Sequence, residues 1–149
     1  MHSSHYFMKA AYKEALLALK DDEVPIGAII VKDDKIIAKA HNTKQTKNVA
    51  TRHAEINAIE KACKKLHSWH LDGCSMYVTL EPCMMCVGAC IQARIKDIYY
   101  GAISNQDGAC KTKIDIDKIE GLNHYPNTIY YDGLPECSKI ITNYFKSKR

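Results

Sequence analysis

The residues most able to do chemistry fall in two short segments, His53-Ala54-Glu55 and Pro82-Cys83-Met84-Met85-Cys86. Together they offer one imidazole and two thiols, which are the groups that bind zinc in proteins. Four protein ligands close a structural zinc site, whereas three leave a coordination position for water. Glu55 lies two residues from His53, where its carboxylate can handle the protons of that water. The pattern predicts a hydrolytic enzyme with zinc ligands His53, Cys83 and Cys86 and with Glu55 as its acid/base.

Two other interpretations of the cysteines were weighed. A Cys-x-x-Cys pair is typical of redox proteins, but such a pair needs no His-x-Glu segment upstream. Cys90 is a candidate fourth ligand, which would make the zinc site structural. Small residues recur here at helical spacing: Cys86, Ala89, Cys90 and Ala93. We therefore favour Cys90 as a buried apolar residue.

The composition indicates one globular domain spanning residues 1–149, with 46% hydrophobic and 26% charged residues. No apolar run approaches the roughly 18 residues of a membrane span, and the N-terminus lacks signal-peptide features. We expect a cytoplasmic protein with no membrane partner. The seven cysteines are an odd number, which argues against a disulfide framework. A net charge of +4 does not by itself indicate nucleic-acid binding.

Periodicity predicts alternating helices and strands. The predicted helices cover residues 4–20, 53–66 and 83–94, a short piece near 114–119 and a terminal segment that Pro135 opens; the predicted strands cover 26–31, 36–40, 75–80, 98–100 and 128–131. This order predicts an α/β sandwich with helices on both sheet faces. Both ligand segments fall where a helix begins, and free N–H groups there favour thiolates.

The two segments resemble the H-x-E…P-C-x-x-C signature of the zinc-dependent nucleoside and nucleobase deaminases. Further motifs resemble the bacterial tRNA-specific adenosine deaminases, in the same order and at similar spacing: VPIGA at 24–28, HNT at 41–43, TLEPC at 79–83, YGA at 100–102 and LNH at 122–124. The resemblance covers nearly the whole chain. It implies a three-layer α/β/α cytidine-deaminase-like fold with a mixed central sheet of about five strands.

The resemblance also implies a reaction, the hydrolytic deamination of adenosine to inosine at the wobble position of a tRNA anticodon. One zinc per chain would supply a water of lowered pKa for attack on adenine C6, and Glu55 would move the protons. Asn42 would hydrogen-bond the flipped nucleotide; its other interpretation is a turn asparagine after a strand. The bases of an anticodon loop are unpaired and cost little to splay out.

Partners follow from the same resemblance and from the basic tail. The family implies a homodimer. A basic tail joined to aromatic residues suits single-stranded RNA, and the residues expected to contact tRNA are Phe145, Lys146, Lys148 and Arg149, with Tyr144 as the alternative to Phe145. A second basic cluster precedes His53 and comprises Lys44, Lys47 and Arg52. Ordinary solvated surface is the competing interpretation of both.

The chain departs from the family at Arg52, at Ser104 and in residues 107–112, which leaves the nucleotide context open. Two other functions also stay open. One is deamination of a free base, nucleoside or nucleotide such as guanine or deoxycytidylate, against which the Asn42 region and the basic tail count. The other is a non-catalytic, zinc-stabilised RNA-binding module, against which Glu55 counts.

Overall fold

The structure is a computed structural model that describes residues 1–148, so Arg149 lies outside the described residues. The helices are α1 (Ser4–Lys20), α2 (Lys44–Lys47), α3 (Ala54–Leu66), α4 (Met84–Ala93) and α5 (Glu136–Ser147); the strands are β1 (Gly27–Lys32), β2 (Lys35–His41), β3 (Ser75–Val78), β4 (Asp97–Tyr100) and β5 (Asn127–Tyr130). Within the described range, no helix is both long and apolar enough to cross a membrane.

The five strands form one mixed sheet in the order β2-β1-β3-β4-β5. β1 pairs antiparallel with β2 and with β3, while β3, β4 and β5 run parallel. The hairpin between β1 and β2 turns through Asp33 and Asp34, whose φ angles of 50° and 64° suit a tight two-residue turn. Nearly all residues of β1 and β3 are buried, because helices cover both faces of the sheet.

Two separate cores confirm the predicted three layers. On one face, α3 and α4 pack residues such as Ala58 and Val87 against the sheet. On the other face, α1 supplies Phe7 and Met8, and α5 supplies Cys137. The fold is therefore an α/β/α sandwich, as the resemblance implied.

Gly27 sets how closely α1 approaches the sheet. A Cβ atom at Gly27 would lie 2.0 Å from the carbonyl oxygen of Ala11 and 2.5 Å from the backbone nitrogen of Ala15. Contacts that short are not allowed, so only glycine lets the helix lie directly on β1. This close approach fixes the segment between α1 and β1. Glu23 in that segment accepts hydrogen bonds from Gln45 and Thr46, which follow β2.

The main difference from the sequence prediction is α2, a four-residue helix that periodicity could not reveal because all four of its residues are polar. The predicted strand 75–80 ends at Val78, and the expected helix near 114–119 is a single 3-10 turn at Ile116–Lys118. The other elements agree with the prediction to within a few residues.

Candidate active site

The three predicted metal ligands meet where two helices begin. His53 is the residue that caps the N-terminus of α3, and Cys83 caps the N-terminus of α4, both with extended backbone. Cys86 lies one turn into α4 and is fully buried. One ligand atom from each of the three residues lies within 4.8 Å of the other two. Both helices thus direct the positive ends of their dipoles at one cluster.

The dimensions of this cluster fit zinc. The Nδ1 atom of His53 lies 3.7 Å from the sulfur of Cys83 and 3.6 Å from the sulfur of Cys86. Tetrahedral zinc with its usual bonds to sulfur and nitrogen holds such atoms about 3.6 Å apart. One imidazole and two thiols at this separation therefore match the donor set of a zinc site with one open position.

The acidities of the cluster favour a cation. A hydrogen bond from the Cys86 thiol lowers the pKa of Cys83 to about 4. Burial opposes this shift, and a hydrogen bond with His53 adds to it. The hydrogen bond with Cys83 raises the pKa of His53, although burial opposes it. The pKa of Cys86 lies above its ordinary value because its thiol donates a hydrogen bond to Cys83 and because it is buried. A metal ion that replaces the shared proton relieves this competition.

Cys90 belongs to the core and not to the cluster. Its side chain is fully buried, and its sulfur lies 3.8 Å from the sulfur of Met76 on β3. Within residues 1–148, the group that can hold a metal contains three side chains and excludes Cys90. The structure therefore supports an open site over a closed structural one.

Glu55 is the second residue of α3, and its side chain lies beside the cluster with only 3% exposure. Its Oε1 atom has no hydrogen-bond partner among the described residues. Burial raises the pKa of Glu55 to about 7. A buried carboxyl that has one oxygen without a partner and a pKa near neutrality is suited to moving protons during a reaction.

Asn42 directly follows β2 and is almost fully buried. Its side-chain nitrogen donates to the carbonyl oxygen of Val24 at 3.5 Å, and its Oδ1 accepts from the backbone N–H of Lys44 at 3.3 Å. These contacts are those of a turn asparagine, and both are long. They leave the predicted contact with a nucleotide as a prediction.

The loop after Asn42 is fixed from two sides. Asn57 on α3 donates to the carbonyl oxygen of His41 at 2.9 Å and to the Thr43 hydroxyl at 3.0 Å. Arg52 donates to Asn57 at 3.3 Å and to Glu60 at 2.8 Å. The Arg52 side chain thus belongs to the network that holds this loop before His53.

Two buried carboxylates were missed by the sequence analysis. Glu23 accepts from the backbone N–H of Gln45, from the backbone N–H of Thr46 and from the Thr46 hydroxyl, and so fixes α2. Glu81 accepts hydrogen bonds from residues 104–112. Burial raises the pKa of each group, but these hydrogen bonds outweigh it and leave each pKa below its ordinary value. The available signal was a glutamate shortly before a proline, as in Glu23-Val24-Pro25 and Glu81-Pro82.

The C-terminal helix ends next to the connection between α1 and β1. The Lys148 ammonium lies 2.7 Å from the Asp22 carboxylate, and the Tyr144 hydroxyl donates to the Asp22 carbonyl at 3.5 Å. Phe145 and Lys146 are exposed. Because Glu23 and Val24, which follow Asp22, contact the loop after β2, this tail lies at the same end of the molecule as Asn42.

Comparisons with known proteins agree with this geometry. The family model for the MafB19-like deaminases matches residues 1–149. A tRNA-specific adenosine deaminase of Aquifex aeolicus is 42% identical over 97% of this chain and 95% of its own length. The tRNA-specific adenosine deaminase of Bacillus subtilis is 38% identical over 100% of this chain and 92% of its own length.

Solved structures give the same result. A chain from a study of A-to-I editing by tRNA:A34 deaminases superposes with a TM-score of 0.88 at 39% identity, covering 91% of this chain and 99% of that one. A guanine deaminase from Bacillus subtilis superposes with a TM-score of 0.67 at 30% identity, covering 98% and 95%. The chain belongs to the deaminase family that includes the bacterial tRNA-specific adenosine deaminases.

Proposed function

We propose that this protein is a zinc-dependent hydrolase that converts adenosine to inosine at the wobble position of a tRNA anticodon. The observation that carries the chemistry is the buried Glu55 carboxylate, whose Oε1 atom has no partner among the described residues, beside a His53, Cys83 and Cys86 cluster of zinc dimensions. The substrate is supported by full-length relatives that carry the name tRNA-specific adenosine deaminase.

In this mechanism the chain holds the reactants and moves protons. His53, Cys83 and Cys86 would hold one zinc per chain, which would supply a water molecule with its pKa lowered toward 7. Glu55 accepts a proton from the attacking water and delivers it to N1 of adenine as the bond to C6 forms. It then moves the remaining proton from the new hydroxyl on C6 to the amino nitrogen. The C6–N bond breaks as the C6 carbonyl forms, so that water and adenosine yield inosine and ammonia.

Burial makes this mechanism selective for an unpaired nucleotide. Glu55 and Cys86 are buried, so the base must leave its neighbours and enter the protein to reach them. A base in a duplex would first have to unstack and unpair, whereas an anticodon loop presents it at little cost. Asn42, which directly follows β2, is the residue proposed to hydrogen-bond the entering nucleotide.

The C-terminal tail is the proposed RNA contact. Phe145 is 46% exposed and can stack on a base, while Lys146 offers an exposed ammonium. Lys148 already pairs with Asp22, so a phosphate would have to compete with that carboxylate. Arg149, which lies outside the described residues, belongs to the same proposal. We expect Lys146→Gln to reduce the salt dependence of RNA binding more than Lys148→Gln does. Equal slopes for both variants and the wild type would exclude the tail as a phosphate contact.

A second candidate function is deamination of a free purine, which the superposition on a guanine deaminase favours. The two candidates differ in what lies beyond the base. An enzyme for free guanine has no use for an RNA-binding tail, whereas a tRNA enzyme requires contacts to the flanking nucleotides. A non-catalytic RNA-binding module would not need the buried Glu55 carboxylate.

The assembly proposed is a homodimer in the cytoplasm, where tRNA is found. Met84, at the first position of α4, is 68% exposed although it adjoins the ligand Cys83. An apolar side chain in that place gains from being covered by a second chain or by RNA. An active monomer by light scattering at micromolar concentration would contradict the dimer.

The decisive experiment incubates the zinc-loaded protein separately with tRNA carrying a wobble adenosine, free adenosine, guanine and deoxycytidylate. Mass spectrometry of the digested RNA should show one inosine, and the free compounds should be unchanged. The same tRNA with guanosine at the wobble position is the control. Deamination of guanine with no inosine in tRNA would establish the second candidate instead.

A further inference from the structure

The Glu81 carboxylate accepts hydrogen bonds from the loop of residues 104–112, which follows β4. Its Oε2 atom accepts the backbone N–H groups of Cys110, Lys111 and Thr112 at 3.1, 2.9 and 3.1 Å. Its Oε1 atom accepts the backbone N–H of Ser104 at 3.2 Å and the Thr112 hydroxyl at 2.6 Å. One side chain therefore joins both ends of residues 104–112.

This carboxylate depends entirely on the loop. Glu81 is 2% exposed, and no lysine or arginine within residues 1–148 forms an ion pair with it. A buried charge is costly unless hydrogen bonds replace its water. Packing is equally close, because a Cβ atom at Gly108 would lie 2.4 Å from the Glu81 carboxyl carbon. The loop and the carboxylate thus fix each other in one conformation.

The loop lies next to the candidate active site. Glu81 is two residues before the ligand Cys83, and the backbone N–H of Ala109 donates to the carbonyl oxygen of Pro82 at 2.8 Å. The loop leaves the C-terminal end of β4 beside the C-terminal end of β3, and ligands of α/β sheets bind at such ends. Its exposed residues are all polar: Asn105, Gln106, Asp107, Lys111 and Thr112.

We infer that Glu81 is a positioning residue that holds residues 104–112 as a rigid wall of the opening through which the substrate enters. The inference rests on the proposed function. A loop that is already ordered contacts the RNA without a loss of conformational freedom on binding. Loss of the Glu81 carboxylate should therefore weaken RNA binding and leave the chemical step intact.

The test compares Glu81→Gln with the wild type. Glutamine has the same size, but its amide nitrogen opposes backbone N–H groups that need an acceptor. With an anticodon stem-loop as substrate we expect KM to rise about ten-fold, as for the loss of charge-assisted hydrogen bonds. We expect kcat to change less than about three-fold. Hydrogen exchange should accelerate in residues 104–112, and zinc content should remain that of the wild type.

Two further variants sharpen the test. Glu120→Gln removes the same charge from an exposed position and should match the wild type in every measurement. Thr112→Val removes one of the five hydrogen bonds and should give a smaller change of the same kind. In the Glu81→Gln background, Thr112→Val should add little, because the two residues share one interaction. If Glu81→Gln does not fold, the KM, the zinc content and the hydrogen exchange of Thr112→Val are used to test the inference.

Three results would overturn the inference. An unchanged KM and unchanged hydrogen exchange would mean that Glu81 holds nothing that the substrate needs. A loss of zinc and of kcat at constant KM would mean that it supports the metal ligands instead. A wild-type protein that does not deaminate the stem-loop would refute the proposed function, and the role toward RNA would fall with it.

Discussion

The change that tests the mechanism most directly is Glu55→Gln. Glutamine keeps the volume of the buried side chain and removes only its ability to accept and release a proton. Because Oε1 of Glu55 has no partner among the described residues, the substitution breaks no hydrogen bond of that atom. We expect the fold to be retained, with a change in the free energy of unfolding within about 1 kcal/mol.

The structure also sets the size of the kinetic effect. General acid/base groups contribute about 10²- to 10⁴-fold, which corresponds to roughly 3 to 5 kcal/mol of activation free energy. At 3% exposure, Glu55 leaves little room for solvent to take over its proton transfers. The same carboxyl serves more than one transfer, so the loss should lie at the upper end, about 10⁴-fold.

The assay is inosine formation in a single turnover with excess enzyme, which excludes product release from the measured rate. Zinc content and thermal unfolding are measured on the same preparations, with the exposed Glu120→Gln as the control for charge. A Glu55→Gln rate within about ten-fold of the wild type, with zinc bound, would refute the role given to Glu55. A slow variant without zinc would show that the carboxylate holds the metal site together.

The other predictions concern the metal, acidity and packing. Cys86→Ala should abolish stoichiometric zinc by elemental analysis, whereas Cys90→Ala should retain it; the reverse would make Cys90 a ligand. Glu23→Gln should destabilise the protein by about 1–3 kcal/mol at neutral pH in urea unfolding. Because folding lowers the pKa of Glu23 below 4.5, this difference should shrink as pH falls below that value, and a constant difference would contradict it. Gly27→Ala should cost about 3 kcal/mol in the same assay, because its Cβ would overlap α1. Gly88→Ala, with open space around it, should stabilise α4 by up to about 1 kcal/mol, and similar effects at both glycines would refute the packing argument.

The helices, the strands and the metal ligands could be predicted from the sequence, because each is marked by a pattern of neighbouring residues. The apolar period of 4–20 predicted α1, and the apolar run at 26–31 predicted β1. His53 and Cys83 could be placed at helix starts from the residues around them. Periodicity also predicted the five strands and the helices on both sheet faces, and the family resemblance added that the sheet is mixed.

The features that the sequence analysis did not predict depend on contacts between residues that are distant in the chain. α2 is polar and four residues long, and it is fixed by Glu23, which lies on the other side of a hairpin. The fixed loop of residues 104–112 depends on Glu81, and its own sequence has neither helical nor strand periodicity. The pairing of Lys148 with Asp22 likewise joins two ends of the chain. Such pairs appear only once the backbone is in place.

The division of the ligands between two helices has a consequence for how the protein folds. Cys83 and Cys86 are neighbours in any conformation, so an unfolded chain can already hold a metal ion by both sulfurs. The fold brings His53 to these two sulfurs when β3 pairs with β1, and β-pairing between distant segments is slow. Refolding in the presence of cobalt(II) should therefore pass from a two-sulfur to a sulfur-and-imidazole spectrum. The moment of that change would report when the central sheet closes.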